Sequence, residues 1–323
     1  MDFADLGDVL FLGDQAGVGI PLALLGAVFL AVGTQLQHRG VAGAAALHGE
    51  APRGLTVGHA RALVTRPAWL VGTLMLGLSI VLQLAALWFS PLSVVQPLGA
   101  FGLIVTSVLN ARLSGTAIGG RMIGAIALCV VGVGAFVTLA AFWAHPRAIE
   151  FTQLLTVLVA LGVVLAVWAM LYAGQRRRTR PMFYIVAAGM LFGFVATLAK
   201  VVIGRIQTLI ESQWQFGVEE WLTIGCLVGI LLATIAGSWF VQNAHAYGPP
   251  DLVVAGLTVV DPIVAVTIGS VVLGEMEGTP SWVTLVMLAT AVVAIVGVFL
   301  LARQHPQMKD GTYDTGPTAS VGP

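Results

Sequence analysis

One stretch limits what this chain can become more than any other: Gly248 to Glu275, GPPDLVVAGLTVVDPIVAVTIGSVVLGE. It is long and apolar enough to cross a bilayer, whose hydrocarbon core of about 30 Å takes roughly 20 helical residues. A single carboxylate, Asp261, stands half way along it and is followed at once by Pro262. A charge at bilayer depth costs about 2.5 to 3.5 kcal/mol even on the lenient insertion scale, so it faces a cavity or a partner. Proline removes a backbone donor and crowds the carbonyl one turn back. The pair therefore predicts a helix opened beside a buried acid, the arrangement expected of a transport site.

Composition places that stretch in a class. Apolar residues are 58% of the 323 and charged residues 9%, against about 25% charged in soluble domains. The fold class read from this is an all-α polytopic membrane protein. Nine spans are predicted, roughly 17–37, 67–89, 91–113, 120–143, 151–174, 182–204, 221–244, 250–274 and 281–302. Prolines mark their seams, where a missing N–H costs least. Residues 1–16 carry four aspartates and no basic residue, so they read as an acidic external lead-in without the positive start of a secretory signal. Residues 304–323, rich in Gly, Thr and Pro, read as a disordered cytoplasmic tail.

The arginines set the expected orientation, because short basic loops stay cytoplasmic. With the N-terminus outside, the inner face receives Arg39, Arg53, Arg61, Arg66, Arg112, Arg121, Arg176, Arg177, Arg178, Arg180, Arg303 and Lys309. The outer loops keep only Arg147 and Arg205, together with the acids Glu150, Glu211, Glu219, Glu220, Glu275 and Glu277. This predicts a multi-pass plasma-membrane protein, N-terminus out and C-terminus in.

The middle of the chain repeats at the end. At an offset of 159 residues, Gln83 falls on Gln242, Pro91 on Pro250, Val94 and Val95 on Val253 and Val254, and Gly115 on Gly274. An offset of 163 brings Thr34 onto Thr197 and Gln37 onto Lys200. Span n then pairs with span n+5, and an odd difference inverts the two copies in the membrane. The expected division is a first repeat at 17–143, a connecting span and basic loop at 144–181, and a second repeat at 182–303. In such folds substrate binds near the midplane, where broken helices of the two copies meet. The breaks are predicted at Pro97 and Gly99 in span three and at Gly256 and Pro262 in span eight.

Three stretches carry a family resemblance: RPAWLVGTLMLGLSIVLQLAALWFSPLSVVQPLGAF at 66–101, LQHRG at 36–40, and HAYGPPDLVVAGLTVVDPIVAVTIGSVVLGE at 245–275. Together they resemble bacterial members of the drug/metabolite transporter superfamily, of the EamA-like kind and close to the NIPA-like magnesium transporter branch. The resemblance covers nearly all of 17–303. It implies two inverted helical halves and a transport role; nine spans with an external N-terminus fit the NIPA-like branch.

The candidate substrate and coupling residues are Asp261, Lys200, Gln83, Gln96, Gln242 and Trp239. Asp261 is the central one, with Lys200 as a possible ionic partner. Gln35, Gln37, Asn110 and Asn243 lie near the cytoplasmic interface and read as headgroup contacts. GRMIG (120–124), GMLFG (189–193) and GCLVG (225–229) read as internal helix contacts. Cys129 and Cys226 read as buried small hydrophobes. The loop histidines His38, His48 and His59 lack ligand spacing, so no metal site is assigned. No phosphate-cradling loop, HExxH or nucleophile elbow occurs, so no enzyme, cofactor or nucleic-acid partner is expected.

The partners read here are a small-molecule or ion substrate and the lipid bilayer, with monomer and homodimer both open. Three functions follow: a proton-coupled secondary transporter of a small metabolite or lipid-linked solute, a magnesium transporter of the NIPA kind, or a non-transporting membrane subunit of an envelope-assembly complex. A lone carboxylate that shares its charge with Lys200 is a poor path for a divalent ion, which ranks the first above the second.

Overall fold

The computed structural model describes residues 16–48, 66–113, 118–145, 149–174, 181–211 and 220–303. The acidic lead-in, most of the loop after the first span, the arginine-rich loop and the C-terminal tail lie outside them. Ten helices follow in order: α1 (Ala16–His48), α2 (Pro67–Phe89), α3 (Leu92–Leu98), α4 (Ala100–Leu113), α5 (Gly120–Trp143), α6 (Phe151–Gly174), α7 (Pro181–Glu211), α8 (Glu220–Tyr247), α9 (Pro250–Val271) and α10 (Ser281–Ala302). With α3 and α4 forming one crossing, nine spans among the described residues are long and apolar enough to cross a membrane.

Proline opens α2, α7 and α9, at the position whose N–H would have no helical partner in any case. Large apolar side chains such as Leu74, Met170, Val271 and Leu285 stand outward, each more than 65% exposed. That is the inverse of a soluble surface and suits lipid. Some helices run past the apolar stretch at their centre. α1 continues to His48 and α7 to Glu211, because helical hydrogen bonding persists into the polar interface after hydropathy falls away.

Small residues set the closest packing. Gly19 faces Ala86 and Ser90, Gly26 faces Ser79 and Leu82, and Gly33 faces Gly72 and Met75. The contacts step by seven residues up α1 and by seven down α2, so the seam stays in register along both antiparallel helices. α5 and α10 interlock in the same way: Gly132 lies against the Ala294 backbone and Gly297 against the Cys129 backbone. GMLFG packs Gly189 and Gly193 on Val260, Asp261 and Val264, and GCLVG packs Gly225 and Gly229 on Leu158, Leu161 and Leu198. GRMIG departs from the expectation, since Gly120 and Gly124 face open space. Both cysteines are free and buried.

The packing partners come in matched pairs. α1 packs on α2 as α7 packs on α8; α1 packs on α3 and α4 as α7 packs on α9; and α3 and α4 meet α5 as α9 meets α10. The members of two pairs meet directly, α5 with α10, and α3 and α4 with α9.

The helix breaks need correction. Span three does divide at Gly99, but gently: the Gly99 N–H donates to Gln96 three residues back at 3.1 Å, and Pro97 sits inside α3. Span eight is not broken. α9 runs without interruption from Pro250 to Val271 with Pro262 inside it. Gly256 is no hinge either; the Ile185 side chain occupies the space beside its Cα. Tight packing of α9 on α7 holds the helix together where proline alone would have loosened it.

Candidate functional site

Asp261 lies midway between Leu252 and Val271, the ends of its span. Its backbone is pressed against α7 at Gly189 and Gly193, the only residue type that leaves room for it there. The side chain is half-buried, and its Oδ1 is enclosed with no hydrogen-bond partner among the described residues. Buried carboxylate oxygens are nearly always satisfied. At membrane depth such an orphan is costly to leave unsatisfied.

Lys200 is not its partner. The ammonium donates to the carbonyl oxygens of Leu87 at 2.6 Å and Ser90 at 2.9 Å. On α7 it stands seven residues beyond Gly193, about 10 Å along the axis at roughly 1.5 Å per residue. The expected Lys200–Asp261 pair is therefore absent. The carbonyls that end α2 are the negative pole of that helix and hold the charge instead.

Glu275 completes this second arrangement, and sequence reasoning missed it by placing it among the outer loop acids. It is 3% exposed. Its carboxylate accepts from the N–H of Leu92 at 2.7 Å, the N–H of Ser93 at 2.9 Å and the Ser93 hydroxyl at 2.6 Å. These are the unpaired donors at the start of α3, the positive pole of a helix. Two glycines allow the fit. Gly274 takes φ +68°, a left-handed turn that brings the chain back, and Gly269 leaves room for Oε2, which would lie 2.9 Å from a Cβ there. The only cue in the sequence was an acid behind a glycine at a span end, which reads equally well as a solvated loop.

The remaining candidates are dispersed. Gln96 is buried on α3, which packs on α9, and Gln83 is half-buried on α2. Gln242 is exposed, and Trp239 is 42% exposed with its ring edge-on to Tyr172 at 4.8 Å and Phe240 at 5.0 Å. No hydrogen bond or ion pair joins any two of the six candidates among the described residues. Trp239 belongs to an aromatic group with Trp168, Tyr172, Phe183, Tyr184, Phe240 and Tyr247 on α6, α7 and α8.

Three of the four expected headgroup contacts, Gln35, Asn110 and Gln37, make interhelical bonds instead. The Gln35 amide donates to Asn110 across α1 and α4, and the Gln37 amide donates to the Thr73 hydroxyl at 3.0 Å across α1 and α2. A bilayer interior offers an amide no better partner than another helix. Asn243 bonds only within its own helix, to the Trp239 carbonyl at 2.8 Å. No group of three or more His, Cys, Asp or Glu able to hold a metal ion occurs among the described residues.

Comparison with known proteins agrees with this architecture. Residues 14–307 match the family model described as magnesium transporter NIPA. An uncharacterized protein of Corynebacterium glutamicum is 28% identical over 290 residues, covering 88% of this chain and 95% of its own. No solved structure matches.

Proposed function

The chain belongs to the NIPA magnesium transporter family, and from that premise we propose that it carries a hydrated divalent cation, magnesium first, across the plasma membrane past Asp261. The single observation that carries this reading is the enclosed, unpartnered Oδ1 at mid-span. Magnesium gives up its waters reluctantly and is commonly held by one or two carboxylates with most of its shell intact. A lone acid is then enough, provided that no cation of the protein neutralises it. Lys200 is engaged at the α2 terminus, which removes the objection that the sequence raised against a divalent path. The ion's own waters supply most of the contacts.

The matched packing of α1 to α5 and α7 to α10 supports the division into repeats at 17–143 and 182–303, with α6 as connector. Nine crossings among the described residues and the arginine asymmetry together support an external N-terminal end and a cytoplasmic C-terminal one.

A second reading, proton-coupled movement of a small metabolite, is favoured by one observation. Among the described residues Asp261 belongs to no group of three or more His, Cys, Asp or Glu that could hold a metal ion.

The experiment is flux into liposomes holding wild type or Asp261→Asn at matched incorporation, with a magnesium-sensitive dye inside. Magnesium entry by wild type, at least tenfold slower in Asp261→Asn, is the expected result. Solute accumulation driven by a proton gradient, with no magnesium entry, selects the second reading. Equal fluxes of wild type and Asp261→Asn remove Asp261 from the site.

A further inference from the structure

The corner between α2 and α3 belongs to the first half of the chain, yet side chains of the second half hold it at both poles. On one side Lys200 binds the Leu87 and Ser90 carbonyls, and Gln207 donates to the Trp88 carbonyl at 2.9 Å. On the other, Glu275 takes the Leu92 and Ser93 amides and the Ser93 hydroxyl. Each charge has the sign that its helix end attracts, and both are nearly excluded from solvent. The Glu275 turn is tied in further by the His145 N–H, which donates to the Glu275 carbonyl at 3.0 Å.

Among the described residues the opposite end of the bundle shows no matching hold. The 163-residue offset sets Gln37 against Lys200, but the Gln37 amide goes to Thr73 on α2, inside its own half. The helix contacts differ in the same sense: α2 packs on α7, whereas their counterparts α8 and α1 share no comparable contact among the described residues. Among the described residues the α2–α7 contact thus has no comparable counterpart between α8 and α1, while the α5–α10 seam joins the halves. The joined corner also carries a cost, since the Ser90 hydroxyl is enclosed there without a partner, a cost that hydration would relieve.

We propose that Lys200, Gln207 and Glu275 form a latch on the α2–α3 corner, closing this end of the bundle and parting when the other end closes. The inference rests on the reading of the chain as a transporter, because only alternating access requires the halves to part. Charged contacts suit the task. They are strong when dry and are replaced by water when the cleft opens, so one set of groups serves two states.

The first test needs no cargo. In the full chain reconstituted in liposomes, with the protein present in both orientations, Ser93→Cys is exposed to a membrane-impermeant maleimide. Cys129 and Cys226, both 0% exposed, serve as internal controls for unfolding. A latch that opens gives complete reaction of the new thiol while the two native cysteines stay unreacted. A new thiol that stays as unreactive as the native pair, in fully folded protein, overturns the proposal. If Ser93→Cys fails to fold, Leu92→Cys takes its place.

The second test uses magnesium as the probe. Ser93→Cys with Glu275→Cys, in a Cys129→Ala and Cys226→Ala background, is bridged by a short bis-thiol reagent. Bridging is expected to cut magnesium entry at least tenfold, with recovery on reduction; unchanged entry in fully bridged protein overturns the latch. Should wild type carry no magnesium, the functional reading fails and the maleimide test alone decides the latch.

Discussion

The ammonium of Lys200 lies 2.6 Å from the carbonyl oxygen of Leu87, on another helix and 113 positions away in the chain. With Ser90 it satisfies two acceptors that the end of α2 leaves open. Removing it strands both in a place that water reaches poorly, at about 1–3 kcal/mol for each unsatisfied group. Lys200→Met is therefore expected to lower the melting temperature in detergent markedly, and Lys200→Arg, which keeps charge and donors, to lower it less. A Lys200→Met protein as stable as wild type would show that the contact contributes nothing.

Glu275 makes a parallel case at the other pole. Glu275→Leu leaves the Leu92 and Ser93 amides without an acceptor, whereas Glu275→Gln keeps one carbonyl oxygen in place. Hydrogen bonds to charged groups contribute about 1.5–3 kcal/mol each. The order of thermal stability is expected to be wild type, then Glu275→Gln, then Glu275→Leu, and thermal unfolding of the purified variants reads it directly.

Two glycines on α5 separate packing from helix propensity. A Cβ on Gly132 would lie 2.4 Å from the Ala294 backbone nitrogen, while one on Gly134 would meet nothing within 4 Å. Gly132→Ala must push α10 away, an overpacking cost of about 1–3 kcal/mol. Gly134→Ala should be neutral or slightly stabilising, since alanine favours a helix. Comparable losses in both would mean that the α5–α10 seam has room for a methyl group at Gly132.

The Gln35–Asn110 bond joins α1 to α4. Intramembrane pairs of this kind couple by about 0.6 kcal/mol on average and rarely above 1.7. A double-mutant cycle with Gln35→Leu and Asn110→Leu should return a coupling in that range. Strict additivity would place the two residues back among headgroup contacts.

Orientation is open to direct measurement. A reporter fused after Arg303 is expected to behave as cytoplasmic, and one placed within residues 1–14 as external. Both reporters on the same side would contradict nine crossings.

What the sequence determined by itself is what depends on one residue and its solvent. Length, hydropathy and proline placement were enough for nine spans and most of their edges, because each helix meets the bilayer independently. The unusual status of Asp261 was legible for the same reason, since a charge at that depth is costly whatever surrounds it. The partners of the other polar groups were not legible. Lys200 and Asp261 are both charged residues within spans of the second half, and nothing in their spacing told that one would reach across to Leu87 and Ser90 while the other found no partner among the described residues. Glu275 looked like a loop acid until Gly274 turned the chain and α3 presented its amides. Pro262 promised a break that packing on Gly189 and Gly193 suppressed. Helix formation is local, and the sequence carries it; the choice of hydrogen-bond partner is a long-range competition among all the groups that the fold brings into reach, and only the tertiary structure decides it.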